Sequence, residues 1–279
     1  MIAERRAAAL FVLPALSAIA LIAIAPMAWT AWESLHAHDL RLPWLGRPLV
    51  GPANYVEAAG DARFVDALRH TAFFTVASVT VELFLGLIFA LVMAHAIRAR
   101  GLIRVVVLAS WAVPTVVAAL VWRFIFEGTG ANWFTSATAA WVPIVVADAW
   151  KMTPFVALLL LAGLQSIDPA LYDAARIDGA GAWQQFRHVT LPLLRPALLV
   201  ALLFRTLDAF RVFDVVYVMT AGGPGTATEV VSLYTFSTLL QHLRFGYGSA
   251  LSMIIFMATF ILALLYIRAA GGRLLEDRT

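Results

Sequence analysis

Six long apolar stretches constrain this chain more than any other feature of its sequence. They lie at about residues 7–32, 69–97, 105–126, 141–164, 193–218 and 249–267. A helix needs about 20 mostly apolar residues to cross the hydrocarbon core of a bilayer, and each stretch is long enough. The whole chain is 62% hydrophobic and only 13% charged, whereas about 25% of the residues in a soluble domain are charged. The sequence therefore predicts an all-α integral membrane protein with six transmembrane helices, and it excludes a soluble enzyme or a disordered regulator.

The distribution of arginine predicts the orientation in the membrane. An even number of spans places both termini on one side, and cytoplasmic segments carry an excess of basic residues. With the N-terminus in the cytoplasm, five arginines lie outside and eleven lie inside, namely Arg5, Arg6, Arg98, Arg100, Arg104, Arg176, Arg187, Arg195, Arg268, Arg273 and Arg278. Both termini are therefore predicted to be cytoplasmic, and the basic residues indicate topology and not a nucleic-acid surface. Residues 228–243 are apolar but too short to span, so we expect an outer interfacial or re-entrant helix there.

The loop between the fourth and fifth stretches, residues 165–192, has signals that a plain connector lacks. Asp168-Pro169 predicts a helix start, with an N-cap side chain followed by proline at the first helical position. Gly179 predicts the end of that helix in a left-handed conformation. A second short helix is expected at about 182–188, before Leu191-Pro192 turns the chain back into the bilayer. Two short amphipathic helices outside the membrane would expose apolar side chains, which indicates a docking surface.

This loop resembles the EAA motif of ATP-binding-cassette importer permeases: Glu-Ala-Ala, three residues, Gly, nine residues, Ile, any residue, Leu-Pro. Here the motif reads Asp173-Ala174-Ala175, Gly179 and Val189-Thr190-Leu191-Pro192, with both spacings kept and with Asp for Glu and Val for Ile. The segments 150–155, 202–210 and 222–224 are also similar to the MalF-type subunit of carbohydrate importers. Around the fifth stretch, the similarity is greatest to trehalose-importer permeases of actinobacteria.

The resemblance implies a single permease domain over residues 1–279, with the type I importer fold, in the bacterial plasma membrane. It implies as partners a second homologous permease, two identical cytoplasmic ATPases and an external sugar-binding protein. In that family the helix at the EAA motif lies in a groove of the ATPase, and ATP-driven closure of the ATPase dimer changes the permeases from inward-facing to outward-facing. ATP and magnesium would bind to the ATPase, so no cofactor is expected in this chain. The residues implied in the ATPase contact are Asp173, Ala174, Ala175, Asp178, Gly179, Phe186, Leu191 and Pro192.

The single lysine excludes ATP hydrolysis by this chain. A phosphate-binding loop of the GxxxxGK[ST] type needs a lysine after a glycine-rich turn, whereas Lys151 follows Ile-Val-Val-Ala-Asp-Ala-Trp inside an apolar stretch. Cysteine is absent, and the six histidines have no metal-ligand spacing, so no metal site is predicted. The chain is therefore expected to be a transport subunit and not an enzyme.

The fifth stretch carries four charged residues at intervals of three: Arg205, Asp208, Arg211 and Asp214. Ionisable groups at membrane depth cost several kcal/mol, and they are candidates for a functional role. On one continuous helix, each step of three residues rotates by about 60°, so the four would cover half of the helix surface. One side could then face a water-filled cavity, while Arg205 forms a buried ion pair with Glu82 of the second stretch.

A cavity wall with mixed charges and aromatic rings suits a sugar, because charged groups bind hydroxyls and rings offer apolar faces. The resemblance to carbohydrate importers implies a disaccharide such as trehalose or maltose, and a longer oligosaccharide or a glycerol phosphate stays open as an alternative. The alternating signs disfavour a phosphorylated substrate. The residues predicted to contact it are Asp208, Phe210, Arg211, Asp214, Tyr217 and Lys151.

Several alternatives stay open at this point. The four charges could form a structural network that holds helix to helix, and Asp148 and Lys151 could form a structural pair. The loop Gly222-Gly223-Pro224 is either a simple turn or a contact with the binding protein. Finally, the protein could be a stand-alone secondary transporter or channel that uses the fifth-stretch charges, or a membrane-bound enzyme. Neither of these last two requires a helix–glycine–helix docking element.

Overall fold

The computed structural model describes residues 12–95 and 100–276, which are mostly helical, and the described residues contain only isolated β-bridges. A π turn lies at Ala20–Ile24 in the first helix, another at Phe186–Thr190 in the eighth, and a third at Ser237–Gln241 after the tenth. The helices are α1 (Val12–Glu33), α2 (Ala53–Gly60), α3 (Ala62–His95), α4 (Arg100–Ala112), α5 (Thr115–Gly128), α6 (Trp141–Gln165), α7 (Pro169–Ile177), α8 (Ala182–Ala209), α9 (Asp214–Met219), α10 (Val231–Phe236) and α11 (Phe245–Glu276).

Five of the described helices are long and apolar enough to cross a membrane: α1, α3, α6, α8 and α11. The second, fourth and sixth predicted stretches correspond to α3, α6 and α11, and residues 96–97 of the second lie outside the described residues. The first corresponds to α1 from Val12 onward, and its residues 7–11 lie outside the described residues. The short apolar segment 228–243 forms α10 and the π turn that follows it, so a short helix is present where one was expected.

The third predicted stretch, 105–126, is not one continuous helix. α4 ends at Ala112 and α5 begins at Thr115, with Pro114 in an extended conformation between them (φ −55°, ψ 138°). Proline has no N–H to donate, and its ring clashes with the preceding helical turn. The prediction of an unbroken span was therefore wrong here, and two helices of 13 and 14 residues take its place.

The fifth predicted stretch, 193–218, begins earlier than predicted. Leu191-Pro192 does not turn the chain, because α8 runs without interruption from Ala182 through this dipeptide to Ala209. The helix continues because the π turn at Phe186–Thr190 already changes the hydrogen-bond pattern just before Pro192. Pro192 has no N–H, so no backbone donor is left without a partner there. The expected second short helix at 182–188 is thus the first part of α8.

The same stretch also ends earlier than predicted. α8 stops at Ala209, and α9 begins only at Asp214, after Phe213 in a non-helical conformation (φ −140°, ψ −61°). α9 packs against α5 and α6, and this packing overrides the helical period of the sequence. The four charges therefore do not lie on one helix, and the prediction that they cover half of one helix surface was wrong.

The described chain forms two compact units. The first comprises the residues up to Val65 together with Tyr234–Ala258. In it the buried Asn54 Nδ2 donates to Ser34 O at 2.8 Å and to His36 O at 3.0 Å, which fixes the segment after α1. Asp61 accepts hydrogen bonds from two tyrosine hydroxyls. Burial raises the pKa of this carboxyl, but the hydrogen bonds outweigh burial and hold the pKa below its ordinary value.

The second unit comprises Asp66–Leu233 and the residues from Thr259 onward. Its core lies where α3, α6 and α8 pack together, with Ala90, Met93, Val156, Ala157, Leu160, Leu161, Leu194 and Ala201 buried. Two glycines permit this close approach. A Cβ added to Gly86 would lie 2.5 Å from Val156 Cγ1, and one added to Gly163 would lie 2.5 Å from Ala197 Cβ. Gly86 and Ala90 on α3 therefore belong to a surface of small residues that packs against neighbouring helices.

We predict that Gly86→Ala destabilises the protein, since the added methyl overlaps the stiff β-branched side chain of Val156. Overpacking of this kind typically costs about 1–3 kcal/mol, which exceeds the roughly 0.5–1 kcal/mol that alanine gains over glycine in a helix. The measurement is the midpoint of thermal unfolding, followed by tryptophan fluorescence in detergent micelles. Gly128→Ala is the control, because a Cβ there meets nothing within 4 Å. Equal midpoints for the two variants would contradict the packing argument.

Candidate functional site

Arg205 is the centre of a buried charge cluster in the second unit. Its side chain, on α8, is only 1% exposed. Its guanidinium donates to both carboxylate oxygens of Glu82 on α3, with Nη2 2.7 Å from Oε1. Nη2 also lies 3.1 Å from Asp148 Oδ2 on α6, and Nη1 donates to Asp208. The structure thus places the predicted partners Glu82 and Arg205 in contact, and one side chain joins three helices.

Ser78 adds a hydroxyl to the same cluster. Its Oγ lies 2.8 Å from Glu82 Oε1 and 2.5 Å from Asp148 Oδ2, and its single proton can be donated to only one of them at a time. Three carboxylates surround one guanidinium, so the ionised cluster has an excess of negative charge. Lys151, three residues after Asp148 on α6, supplies a second positive charge.

Lys151 also caps the broken end of α4. Its Nζ donates to Trp111 O at 3.1 Å and to Val113 O at 2.5 Å. Carbonyls at a helix end have no helical partner, and Pro114 interrupts the hydrogen-bond ladder just after these two. A cation is also favoured at a helix C-terminus by the helix dipole. Lys151 therefore stabilises the backbone where the third stretch is interrupted.

The exposed side of the charge cluster opens into a cavity of about 380 Å³ in the second unit. The Asp208 side chain is 55% exposed, although it pairs with Arg205. The cavity is lined by residues from α4, α5, α6, α8 and α9 and from the break between α8 and α9. Its charged and aromatic lining residues are Trp111, Asp148, Lys151, Asp208, Arg211, Phe213 and Asp214.

Four of the six residues predicted to contact a substrate line this cavity: Lys151, Asp208, Arg211 and Asp214. Phe210 and Tyr217 lie outside its lining, because the break after Ala209 changes the direction in which successive side chains point. Phe213 provides the aromatic face instead, and its ring stacks on that of Tyr217 with 5.3 Å between centroids. The contributions of Ser78, Trp111 and Thr115 had no signal in the sequence, because they depend on helices that are distant along the chain.

Of the four charged residues in the fifth predicted stretch, Arg211 and Asp214 differ from Arg205 and Asp208. Arg211 Nε donates to Leu207 O at 3.1 Å, and Asp214 opens α9, where a carboxylate is favoured by the helix dipole. Neither forms an ion pair with another described residue. A structural network therefore includes Arg205 and Asp208, whereas Arg211 and Asp214 remain charges on the cavity wall.

The loop predicted to dock a partner forms a well-defined helix end. Asp168 Oδ1 accepts a hydrogen bond from Ala170 N at 2.9 Å, and Pro169 is the first residue of α7, as predicted. Gly179 has φ +82°. Gly179 N donates to Arg176 O at 3.0 Å, and Ala180 N donates to Ala175 O at 2.9 Å, which is the Schellman pattern. The predicted termination of this helix at Gly179 is confirmed.

This element exposes apolar side chains. Ile177 is 86% exposed and Trp183 is 70% exposed, and the Trp183 ring stacks on Phe186 at 5.4 Å between centroids. An exposed apolar patch on a fixed element is typical of an interaction surface.

Polar contacts hold the same element in place. Asp173, in the motif, forms an exposed ion pair with Arg176 at 2.8 Å. The Tyr172 hydroxyl lies 3.0 Å from Thr190 Oγ1 and joins α7 to α8. Of the other motif residues, Ala174 O accepts from the amide of Asp178, which is the C-cap of α7, and Leu191 and Pro192 lie inside α8.

The loop at Gly222 is an ordered turn. Gly222 has φ +88°, Thr228 N donates to Gly222 O at 3.0 Å, and Thr228 Oγ1 donates to Gly223 O at 2.8 Å. Its contact with a binding protein stays a prediction.

Comparison with known proteins identifies the family. Residues 82–276 match the model of the family described as binding-protein-dependent transport system inner membrane component. The chain belongs to this family. It is 39% identical to the trehalose/maltose transport system permease protein MalF of Thermococcus litoralis, over 98% of this chain and 96% of that protein. It is also 39% identical to the trehalose transport system permease protein SugA of Mycobacterium tuberculosis, over 97% of this chain and 90% of that protein.

A solved structure shows the same fold. A bacterial alginate ABC transporter, in complex with an alginate pentasaccharide-bound periplasmic protein, has a chain that matches with a TM-score of 0.80 at 20% identity, over 96% of this chain and 94% of that one. Family membership confirms the resemblance to importer permeases. The protein is therefore a multi-pass membrane permease subunit and not an enzyme.

We predict that Arg205→Met strongly destabilises the protein, because Glu82 would stay buried without its cation. Removal of one partner from a buried ion pair typically costs about 3–5 kcal/mol. The measurement is again thermal unfolding of the purified protein. Arg211→Met is the control, since this exposed arginine has no ion pair with a described residue and its loss should change stability by less than about 0.5 kcal/mol. Adding Glu82→Gln to Arg205→Met should restore part of the stability. Equal stability of the two arginine variants would contradict the role of the cluster.

Proposed function

We propose that this protein is a sugar-conducting permease subunit of an ATP-driven importer in the bacterial inner membrane. The observation that carries the proposal is the cavity of about 380 Å³ lined by Asp208, Arg211, Asp214 and Phe213. Two relatives that align over nearly the whole chain are named for trehalose or maltose transport, which supports a neutral disaccharide as the substrate.

The chemistry of the cavity suits such a substrate. Asp208 and Asp214 accept hydrogen bonds from sugar hydroxyls, Arg211 donates to them, and the Phe213 ring covers an apolar sugar face. The cavity volume lies within the roughly 300–1,000 Å³ that small-molecule sites usually have. Carboxylates next to the guanidinium disfavour a phosphorylated sugar, because they repel its charge.

The proposed topology has six crossings within a single permease domain, residues 1–279. Five crossings are the long apolar helices, and the sixth is the pair α4 and α5. Their 13 and 14 residues extend about 40 Å at 1.5 Å per residue, more than the roughly 30 Å hydrocarbon core. Non-helical backbone at membrane depth is tolerated where it lines a water-filled cavity, and Val113-Pro114 lies beside the cavity. Six crossings place both termini on the same side of the membrane, and the arginine distribution assigns that side to the cytoplasm.

Four partners complete the proposed importer: a second homologous permease, two cytoplasmic ATPases and an external sugar-binding protein. The alginate transporter that shares this fold is in complex with a sugar-loaded periplasmic protein, which supports the last of these. The ATPase docks on α7 and the start of α8, where Ile177 and Trp183 are exposed. ATP and magnesium bind to the ATPase, and its closure changes the permeases from inward-facing to outward-facing.

We predict that Asp208→Asn lowers sugar uptake without loss of the complex. Asp208 would lose a charged hydrogen bond worth about 1.5–3 kcal/mol, which corresponds to roughly 10- to 100-fold in uptake at low sugar concentration. Arg205 would still be held by Glu82 and Asp148. The measurement is uptake of radiolabelled trehalose and maltose, together with co-purification of the ATPase and the second permease.

The control for this experiment is Asp66→Asn. Asp66 forms an exposed ion pair with Arg69, and such pairs contribute little. If Asp208→Asn abolishes co-purification, Asp208 has a structural role; if uptake is unchanged, it does not contact the substrate. Uptake that persists after the ATPase is deleted would favour a stand-alone transporter instead.

We predict that Gly179→Ala impairs uptake and sugar-stimulated ATP hydrolysis, although the protein stays in the membrane at its usual level. A Cβ at this position meets nothing within 4 Å, so the cost is only the backbone strain of about 1–2 kcal/mol at positive φ. Gly179→Asn should retain more activity than Gly179→Ala, because asparagine tolerates this conformation better. Undiminished activity in Gly179→Ala would contradict a docking role for this bend.

A further inference from the structure

A second cavity, of about 550 Å³, lies within the first unit and shares no lining residue with the charged cavity of the second unit. It is formed by the end of α1, the segment that follows it, the π turn after α10 and the start of α11. Its polar lining residues are Thr30, Glu33, His38, Arg47, Ser249 and Ser252.

The carboxylate of Glu33 is the unusual group in this cavity. Glu33 is only 4% exposed, and its Oε1 is in hydrogen-bond contact with His38 Nδ1. Its Oε2 is buried without a hydrogen-bond partner among the described residues. Arg47 Nη1 lies 4.0 Å from this oxygen, which is too far for a hydrogen bond. A buried carboxylate oxygen without a donor is costly and rare in native proteins, so a ligand group that donates to Oε2 would be bound favourably.

The other lining groups indicate the class of ligand. Glu33 and Arg47 have opposite charges, so neither a cation nor an anion is strongly favoured. Ser249 offers a hydroxyl that can donate and accept hydrogen bonds, whereas Ser252 Oγ donates its proton to Gly248 O at 2.9 Å and can only accept from a ligand. Trp29, which is 60% exposed, and Phe245 add aromatic surface to the same lining. Balanced charge, hydroxyls and aromatic rings together suit an uncharged polyhydroxylated molecule.

We infer that this cavity is a second binding site for an uncharged sugar, with Glu33 Oε2 as the acceptor for a sugar hydroxyl and Trp29 as the stacking surface. The inference rests on the proposed function, because it assigns the same substrate class to a different part of the chain. In the proposed topology α1 ends at the outer face of the membrane. Trp29 in its last turns fits that position, where tryptophan is enriched. The site would therefore hold sugar at the outer membrane surface.

The absence of cysteine from this chain allows a direct test by protection from labelling. Ser252→Cys is introduced into the complete complex in lipid nanodiscs, and its reaction with a maleimide is timed with increasing trehalose. The labelling rate should fall about tenfold at ten times the dissociation constant. Ser136→Cys is the control, because Ser136 is exposed and lies outside the cavity, so trehalose should not change its rate.

Two variants test the assigned contacts. With Glu33→Gln, the same protection should need about tenfold more trehalose, since the charged acceptor is lost. Trp29→Ala should also weaken protection, and because this side chain is exposed, its loss should leave folding intact. Unchanged protection in both variants would overturn the inference.

The remaining outcomes distinguish a sugar site from a site for a charged ligand and from a contact between subunits. Glucose 6-phosphate and choline are tested in the same way, and protection by either of them but not by trehalose would overturn the ligand class. If Ser252→Cys does not react even without sugar, a partner subunit covers the cavity and the inference is wrong. Normal trehalose uptake without any protection would overturn only this second site. If no sugar is taken up by the unmodified complex, the proposed function fails, and the labelling result stands separately.

Discussion

The fork of hydrogen bonds from Arg205 joins three long helices of the second unit. Its guanidinium contacts Glu82 on α3, Asp148 on α6 and Asp208 on α8 itself. In an interior of low dielectric, an unpaired charge is costly while a fully hydrogen-bonded one is tolerated. Only arginine has enough donors in a rigid plane to serve three carboxylates at once. The packing of α3, α6 and α8 and the position of Asp208 on the cavity wall both depend on this side chain.

The cavity beside this cluster exists because two helices are interrupted. Pro114 separates α4 from α5, and the residues after Ala209 separate α8 from α9. Each interruption leaves backbone groups without helical partners, and Lys151 satisfies two of them at Trp111 and Val113. The same interruptions bring Arg211 and Phe213 to the cavity wall. The polar cavity and the broken helices are thus one feature, since irregular backbone in a membrane protein is tolerated where it lines a cavity.

The helix–glycine–helix element at residues 165–192 shows which features of the fold local sequence signals can predict. Asp168 and Gly179 determine the two ends of α7 through contacts within a few residues, so the start and the end of this helix could be predicted. The behaviour of Pro192 could not, because it depends on the π turn at 186–190. Ser78 gave no signal either, since its role requires Asp148 from a helix 70 residues later. Phe210 was predicted as an aromatic contact, but the backbone break after Ala209 places Phe213 on the cavity wall instead.

The sequence by itself determined that this chain is a helical membrane protein. It also determined that residues 165–192 lie between two apolar stretches and carry the family motif. These properties follow from apolar length, helix caps and residue spacing, all of which act locally. The tertiary structure decided where the third and fifth stretches break, which charges are paired and which line a cavity. It also placed Glu33 beside a second cavity. These properties depend on the packing of helices that are distant along the chain, and no local period or spacing in the sequence encodes that packing.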